Sequence, residues 1–141
     1  MIRRVFIDTD VLPDVALARK PFVEASRLAL ALIENNIASG FISSNEISNL
    51  YYILRKTGGD SPAKKFISKI ITYLTVIPID HSDVLSGLKS DFADFEDSLQ
   101  HYAALRNQCD CIVTRNGEDY RHSEIPVYTP AEFCLMYTSR T

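Results

Sequence analysis

Short apolar runs alternating with amphipathic stretches predict an α/β protein, built on a mostly parallel sheet covered by helices on both faces. Three observations carry this. Val5-Phe6-Ile7, Phe41-Ile42 and the segment Cys111–Thr114 are brief, continuous apolar runs, as strands buried on both sides require. Between them, apolar residues return at helical spacing. Acidic or amide side chains stand where the runs stop or the helices begin: Asp8, Glu46, Asp97, and Asn116 with Asp119. If the strands are parallel, those positions line their carboxyl edge, where open α/β sheets keep their sites.

The elements follow in order. Val5–Ile7 is the first strand. After a short connection, Val23–Asn35 reads as a helix with Leu28, Ala31 and Leu32 at helical spacing. Gly40 introduces the strand at Phe41-Ile42. Ser43 or Ser44 then caps a helix whose apolar face is Ile47, Leu50, Tyr51 and Leu54, and Gly58-Gly59 ends it. Ser61-Pro62 reads as cap and first helical residue of the next helix. Its expected buried face is Phe66, Ile67, Ile70, Ile71 and Leu74, with Lys64, Lys65 and Lys69 outward. Thr75–Ile79 is the third strand, although Pro78 lacks a ladder donor and argues against a central place. Asp80–Ser90 is a short helix. Asp94–Gln108 is a longer one with Leu99, Tyr102 and Ala103 inward. Cys111–Thr114 is the fourth strand and Val127-Tyr128 a fifth. Thr129-Pro130-Ala131-Glu132 is a capping box that opens a last helix to about Tyr137. There are no repeats, linkers or low-complexity segments, so residues 1–141 are expected to form a single domain.

Composition narrows the class. With 46% hydrophobic and 23% charged residues the chain is an ordinary globular one. Three cysteines, an odd number, argue against a disulfide framework; Cys109-x-Cys111 is not a usual zinc spacing, and buried reduced thiols are the expectation. No signal peptide and no run long enough to cross a membrane is visible, which points to a reduced cytoplasm. The net charge of −3 excludes a generally basic nucleic-acid binder, but the charge is uneven. Residues 1–70 hold ten Lys/Arg against seven Asp/Glu, and residues 71–141 hold five against eleven. A basic flank beside an acidic site suits phosphodiester chemistry, the flank attracting phosphates and the site holding a cation.

Each candidate residue also has a plain structural role open to it. Asp8 closes the first strand as a ligand or as a turn cap. Asp10 lies two residues on and reaches the same region. Glu46 is in the first turn of its helix, where it serves as a ligand or as a capping glutamate. Asp94 and Asp97 share a face at a helix start, with His101 one further turn along; the trio is a metal face or a dipole-complementing helix start. Glu96 points elsewhere, toward solvent. Thr114 and Asn116 follow the fourth strand, where an amide carbonyl or hydroxyl can hold a water or a carboxylate, while Asn116-Gly117 also favours a tight turn. Carboxylates gathered at one edge repel one another unless a cation sits between them. Oxygen-only ligands suit a hard ion such as Mg²⁺ or Mn²⁺.

At these residues the chain resembles the PIN domain family, in particular its bacterial VapC-like toxins. The matching segments are F-I-D-T-D-V-L at 6–12, S-S-N-E-I at 43–47, D-F-E-D-S-L-Q at 94–100, I-V-T-R-N-G-E-D-Y at 112–120 and V-Y-T-P-A-E-F at 127–133. They cover essentially the whole chain in order. The resemblance implies a three-layer α/β/α sandwich with a four- to five-stranded sheet. It also implies a Mg²⁺- or Mn²⁺-dependent endoribonuclease, the toxin of a toxin–antitoxin pair, often a homodimer held by an antitoxin. By position, Asp8, Glu46 and Asp97 correspond to acidic ligands. The fourth place falls on Thr114 and Asn116, with Asp119 following. Two positions depart from the pattern: Asp10 stands where Asn is common, and Asn116 where many members have Asp. The loss of charge at Asn116 is compensated if Asp119 or Asp94 stands in. The implied reaction is phosphodiester hydrolysis, with Asp97 or Glu46 orienting the water and Arg19, Lys20, Arg55, Lys56, Lys64 and Lys65 steering RNA.

Three other readings compete. A catalytically inactive PIN-like module would only bind RNA or protein. Asp8-Thr9-Asp10 also matches the D-x-D start of haloacid-dehalogenase-type phosphatases, but no later G-D-x-x-x-D follows. A receiver domain would need a lysine after its last strand, and no lysine lies beyond Lys89.

Overall fold

A computed structural model describes residues 2–138. The elements are β1 (Arg4–Ile7), α1 (Val11–Ala16), α2 (Val23–Glu34), β2 (Ser39–Ser43), α3 (Ser44–Gly58), α4 (Asp60–Ile70), β3 (Leu74–Ile77), α5 (His81–Lys89), α6 (Phe95–Arg106), β4 (Cys111–Val113), a 3₁₀ turn at Gly117–Tyr120, β5 (Val127–Tyr128) and α7 (Pro130–Thr138). The five strands form one sheet in the order β3-β2-β1-β4-β5. Every pairing is parallel.

Period-two alternation divides the core between the two faces. Val5, Ile7, Ile42, Leu74, Cys111 and Val113 pack with Leu12, Leu30, Ile33, Leu50, Leu54, Ile70 and Phe133. Phe6, Phe41, Ile77 and Ile112 pack on the other side with Ala103, Ala104 and Tyr120. Helices α1–α4 and α7 thus cover one face and α6 the other, giving the three layers expected. Helix starts are fixed by side chains. Ser43 with Glu46, and Asp80 with Asp83, form reciprocal capping boxes. Thr129 and Glu132 exchange the same two bonds at α7.

Several elements differ from the sequence reading. The connection after β1 contains α1, hidden in the sequence because it is six residues long and includes Pro13. Pro13 lies in the first turn, where its missing N–H removes no helical bond. Helix α4 begins at Asp60 rather than Ser61, with Gly59 as its cap at φ 91° and Pro62 in its third position. The left-handed Gly59 turns the chain between α3 and α4 in one residue. β3 ends at Ile77, so Pro78 lies outside the ladder and its carbonyl accepts from Arg106 at 2.7 Å. The buried side of α2 is Val23, Ser26, Ala29, Leu30 and Ile33, while Leu28 is exposed. On α4, Ile70 is buried but Ile71 is exposed. The buried side of α6 is largely polar: Ser98, Gln100 and His101 join Ala103 and Ala104, with Leu99 and Tyr102 half-buried.

The cysteines lie where the sequence reading puts them: Cys109, Cys111 and Cys134 are all buried. Burial pushes the Cys109 and Cys111 thiols up to about 12, which leaves them unreactive. No helix among the described residues is long and apolar enough to cross a membrane.

Gly40 shows how tightly β2 is held. A Cβ there would lie 2.5 Å from Cδ2 of Leu74 and 2.8 Å from Cγ2 of Ile33. Gly40→Ala should therefore destabilise the fold by about 1–3 kcal/mol through overpacking. Urea unfolding checks this; an unchanged midpoint would contradict the packing.

Candidate active site

The strand order reverses direction between β1 and β4, and side chains gather at the carboxyl end of that pair. The register sets Ile7 beside Val113. The backbone continues one step further, with the Asp8 N–H donating to the Val113 carbonyl at 2.9 Å. Asp8 and Thr114 thus meet, and the Thr114 hydroxyl donates to Oδ2 of Asp8 at 2.8 Å. Oδ1 accepts from the Tyr120 hydroxyl at 2.9 Å. That hydroxyl also stands 3.5 Å from Oδ1 of Asp97, so one phenol links the end of β1 to the first turn of α6. Asp8 is 7% exposed and Thr114 is wholly buried.

Glu46 serves the cap and the cluster at once. Its Oε1 accepts the Ser43 N–H at 3.1 Å, while the Glu46 N–H donates to the Ser43 hydroxyl. The residue is fully buried, and Oε2 has no hydrogen-bond partner. Asp94 caps α6 by accepting the Asp97 N–H at 3.0 Å, which leaves the Asp97 carboxylate to face Tyr120. Asp10 and Asn116, the two departures from the family pattern, touch each other: Nδ2 of Asn116 donates to Oδ2 of Asp10. Asp119 is exposed on the 3₁₀ turn, and its N–H donates to the Asn116 carbonyl.

Electrostatics tie these groups together. Burial raises the Asp8 carboxyl; the Thr114 and Tyr120 hydroxyls pull it back, and the Asp119 charge raises it again. Burial, then the Asp8 charge, lifts Asp10 to about 7 against the opposing Arg115. Asp97 is lifted to about 7 by burial and then by Asp8, Asp94 and Asp119. Glu46 is held well above its ordinary value by burial and by Asp8. Tyr120 is raised by burial and by the Asp8, Asp97 and Glu46 charges.

The donor chemistry fits a hard divalent cation: oxygen atoms only, mutually repelling carboxylates, and a buried bare Oε2 on Glu46. Among the described residues, no three acidic, imidazole or thiol groups already converge as a closed cage. A cation held here would draw the carboxylates closer together or complete its shell with water and phosphate.

Other residues find their places. His101 is excluded from the cluster: its Nε2 accepts the Glu124 N–H at 2.9 Å and its ring packs on Phe92. Glu96 is exposed, as read, and accepts from Asn49 at 2.8 Å. Asn116-Gly117 opens a tight turn, as read: the Asp119 N–H closes on the Asn116 carbonyl, and the chain runs on as a 3₁₀ turn. Sequence reasoning missed three contributors. Tyr120 was legible only as an aromatic after Asp119. Arg115 donates to the fully buried Asp14 at 2.7 Å and lies over the Phe22 ring. Asp14 carried no signal, because helix α1 itself was not visible. Of the expected RNA-steering cations, Arg19 is 3.6 Å from Asp14 and Lys64 3.3 Å from Asp60. Lys20, Arg55, Lys56 and Lys65 are exposed. Arg55 and Lys56 end α3, roughly 13 Å along its axis from Glu46 at 1.5 Å per residue.

Comparison with known proteins identifies the family and the fold. A family description, PIN domain, matches residues 4–118. Ribonuclease VapC1 of Aquifex aeolicus (strain VF5) is 28% identical over 141 residues, covering 96% of both proteins. Among solved structures, a toxin–antitoxin complex from Klebsiella pneumoniae superimposes with a TM-score of 0.66 at 20% identity, over 91% of this chain and 98% of that one. VapBC2 from Rickettsia felis, bound to a promoter DNA fragment, gives 0.68 at 15% identity, over 88% and 96%. Mycobacterium tuberculosis VapC20, a sarcin–ricin loop cleaving toxin, gives 0.67 at 11% identity, over 84% and 94%.

A pH dependence follows from the raised carboxyls. Asp10 and Asp97 titrate near 7 in the folded chain against an ordinary 3.8, so the native state holds more protons between those values. Their contribution to stability is complete below about 4 and is lost as pH rises through about 7. In EDTA, the melting midpoint should fall from pH 5 to pH 8, and less so in Asp97→Asn. A midpoint that rises over that window in the wild type would contradict the assignment.

Proposed function

The chain belongs to the PIN domain family, and from that premise we propose that it is a divalent-metal-dependent endoribonuclease, the toxin of a toxin–antitoxin pair. One observation carries the reading: the Asp8 charge bears on both Glu46 and Asp97, which come from separate elements, while the wholly buried Glu46 keeps a bare oxygen. Burying such a group costs free energy that packing does not return, and a bound cation offsets it.

Asp8, Glu46 and Asp97 would hold Mg²⁺ or Mn²⁺, with Asp119 contributing charge from the rim and Thr114, Asn116 and Asp94 in support. When bound, the ion supplies Lewis-acid activation of water and neutralises charge on the phosphate. The protein supplies position. Thr114 and Tyr120 fix both oxygens of Asp8. Asp97, half-buried and titrating near neutrality, orients the attacking water and accepts its proton. Arg115, held by Asp14, offsets part of the acidic charge facing an incoming phosphate. Arg19, Lys20, Arg55, Lys56, Lys64 and Lys65 attract the RNA backbone at longer range.

A protein partner fits the same reading. The solved relatives include toxin–antitoxin assemblies. An apolar groove of about 410 Å³ lies between α1, α3 and α4, lined by Leu17, Leu54, Ala63 and Phe66, with Lys65 and Lys69 among its residues. We assign the antitoxin and a homodimeric state to this protein, in the cytoplasm, where its buried thiols stay reduced.

Asp8→Asn and Asp97→Asn should each lower cleavage of single-stranded RNA by about 100-fold or more. Fluorogenic RNA hydrolysis measures this, and cleavage that persists in EDTA would defeat the metal-dependent reading. Reversing Lys64 and Lys65 to Glu should weaken RNA affinity and flatten its salt dependence; an unchanged slope would remove that flank from the RNA path.

A further inference from the structure

We propose that Asp10 and Asn116 form an exchanged acid–amide pair, in which Asp10 supplies the fourth carboxylate of the metal site and Asn116 holds it in place. The proposal rests on the metal-dependent reading above. Three observations support it. Asn116 Nδ2 donates to Oδ2 of Asp10, which fixes the carboxylate rotamer. The other oxygen, Oδ1, is buried and has no partner. The charges of both Asp8 and Asp10 bear on fully buried Glu46, whose Oε2 is also bare. Two unpartnered oxygens thus belong to one cluster rather than to separate accidents of packing.

The surroundings keep Asp10 available. The opposing charge that acts on it, Arg115, is occupied: Nε lies 2.7 Å from Asp14 and the guanidinium rests 4.4 Å above the Phe22 ring. Asn116 is equally fixed, because its N–H donates to the Thr114 hydroxyl at 3.0 Å. That same hydroxyl donates to Asp8. Asn116 therefore aligns Asp10 through its side chain and shares Thr114 with Asp8 through its backbone. Asp119, the other candidate for the fourth carboxylate, stays exposed on the 3₁₀ turn.

Asp and Asn differ by one atom type and one charge. Exchanging them between positions 10 and 116 keeps the hydrogen bond, the volume and the net charge. The exchange is the test. Mn²⁺ binding is measured by titration calorimetry on wild type, Asp10→Asn, Asn116→Asp, Asn116→Ala and the double exchange, with melting in EDTA to verify folding. Asp10→Asn should weaken Mn²⁺ binding by roughly tenfold or more. The double exchange should recover most of that loss, a non-additivity expected only of touching groups. Asn116→Ala should cost less than Asp10→Asn, because it leaves the carboxylate; this comparison stands even if the double exchange does not fold. Asp10→Asn binding within about twofold of wild type, or a folded double exchange no better than the single, would overturn the pairing. Asp8→Asn separates the two levels. If Asp8→Asn abolishes binding and Asp10→Asn does not, only the pairing fails. If wild type binds no Mn²⁺, the metal reading fails and the pairing with it.

Discussion

The parallel pairing of β1 with β4 is the constraint on which the rest depends. It is the point where the chain, having built the sheet outward through β2 and β3, returns to the other side of β1. At the carboxyl end of that pair the two backbones diverge and leave a crevice. The register puts Asp8 and Thr114 side by side across it, so the hydroxyl that satisfies the carboxylate comes from a strand more than a hundred residues away. A slip of one residue would turn both side chains into opposite layers of the core and expose Ile7 or Val113 in their place.

Around that pair the protein assembles acids at an energetic cost. A carboxylate removed from water loses solvation that only hydrogen bonds, cations or protonation restore. The chain restores part of it with hydroxyls: Thr114 and Tyr120 on Asp8, and part with a backbone N–H from Ser43 on Glu46. It leaves the remainder uncompensated, which is why Asp10 and Asp97 are pushed to about 7. Strain of this kind, concentrated at one edge while both faces of the sheet are well packed, is what singles this edge out as the candidate site.

Much of this was legible in the sequence because the physics is local. Continuous apolar runs marked the buried strands, and Thr129 to Glu132 announced α7 by its capping box. Glu46 illustrates the limit. Its position three residues after Ser43 is the signature of a capping glutamate, and the same position suggests a ligand; the sequence offers these as alternatives. The structure shows that one oxygen caps while the other is buried without a partner, so capping leaves an oxygen over for the second role. What stayed hidden depends on long-range contact. The Tyr120 phenol, the Asp14–Arg115 pair and the contact of Asp10 with Asn116 join residues that lie 101 to 112 positions apart, except where Tyr120 meets Asp97. Helix α1 was concealed by its length and its proline, and the polar buried side of α6 defeated any reading of apolar periodicity.

The use of helix starts to present acids has a mechanical consequence. Glu46 and Asp97 both sit in a first turn whose cap is a neighbouring side chain, Ser43 or Asp94. A capped first turn has little freedom, because the cap fixes the backbone from which the side chain projects. Each carboxylate is therefore anchored to a rigid element while the 3₁₀ turn carries the exposed Asp119 and Asn116. The candidate site thus draws its acids from the end of β1 and the first turns of α3 and α6, with a fourth wall formed by a short turn. Anchoring of this kind lowers the reorganisation cost of holding charge in place, since the backbone that carries each carboxylate is already fixed.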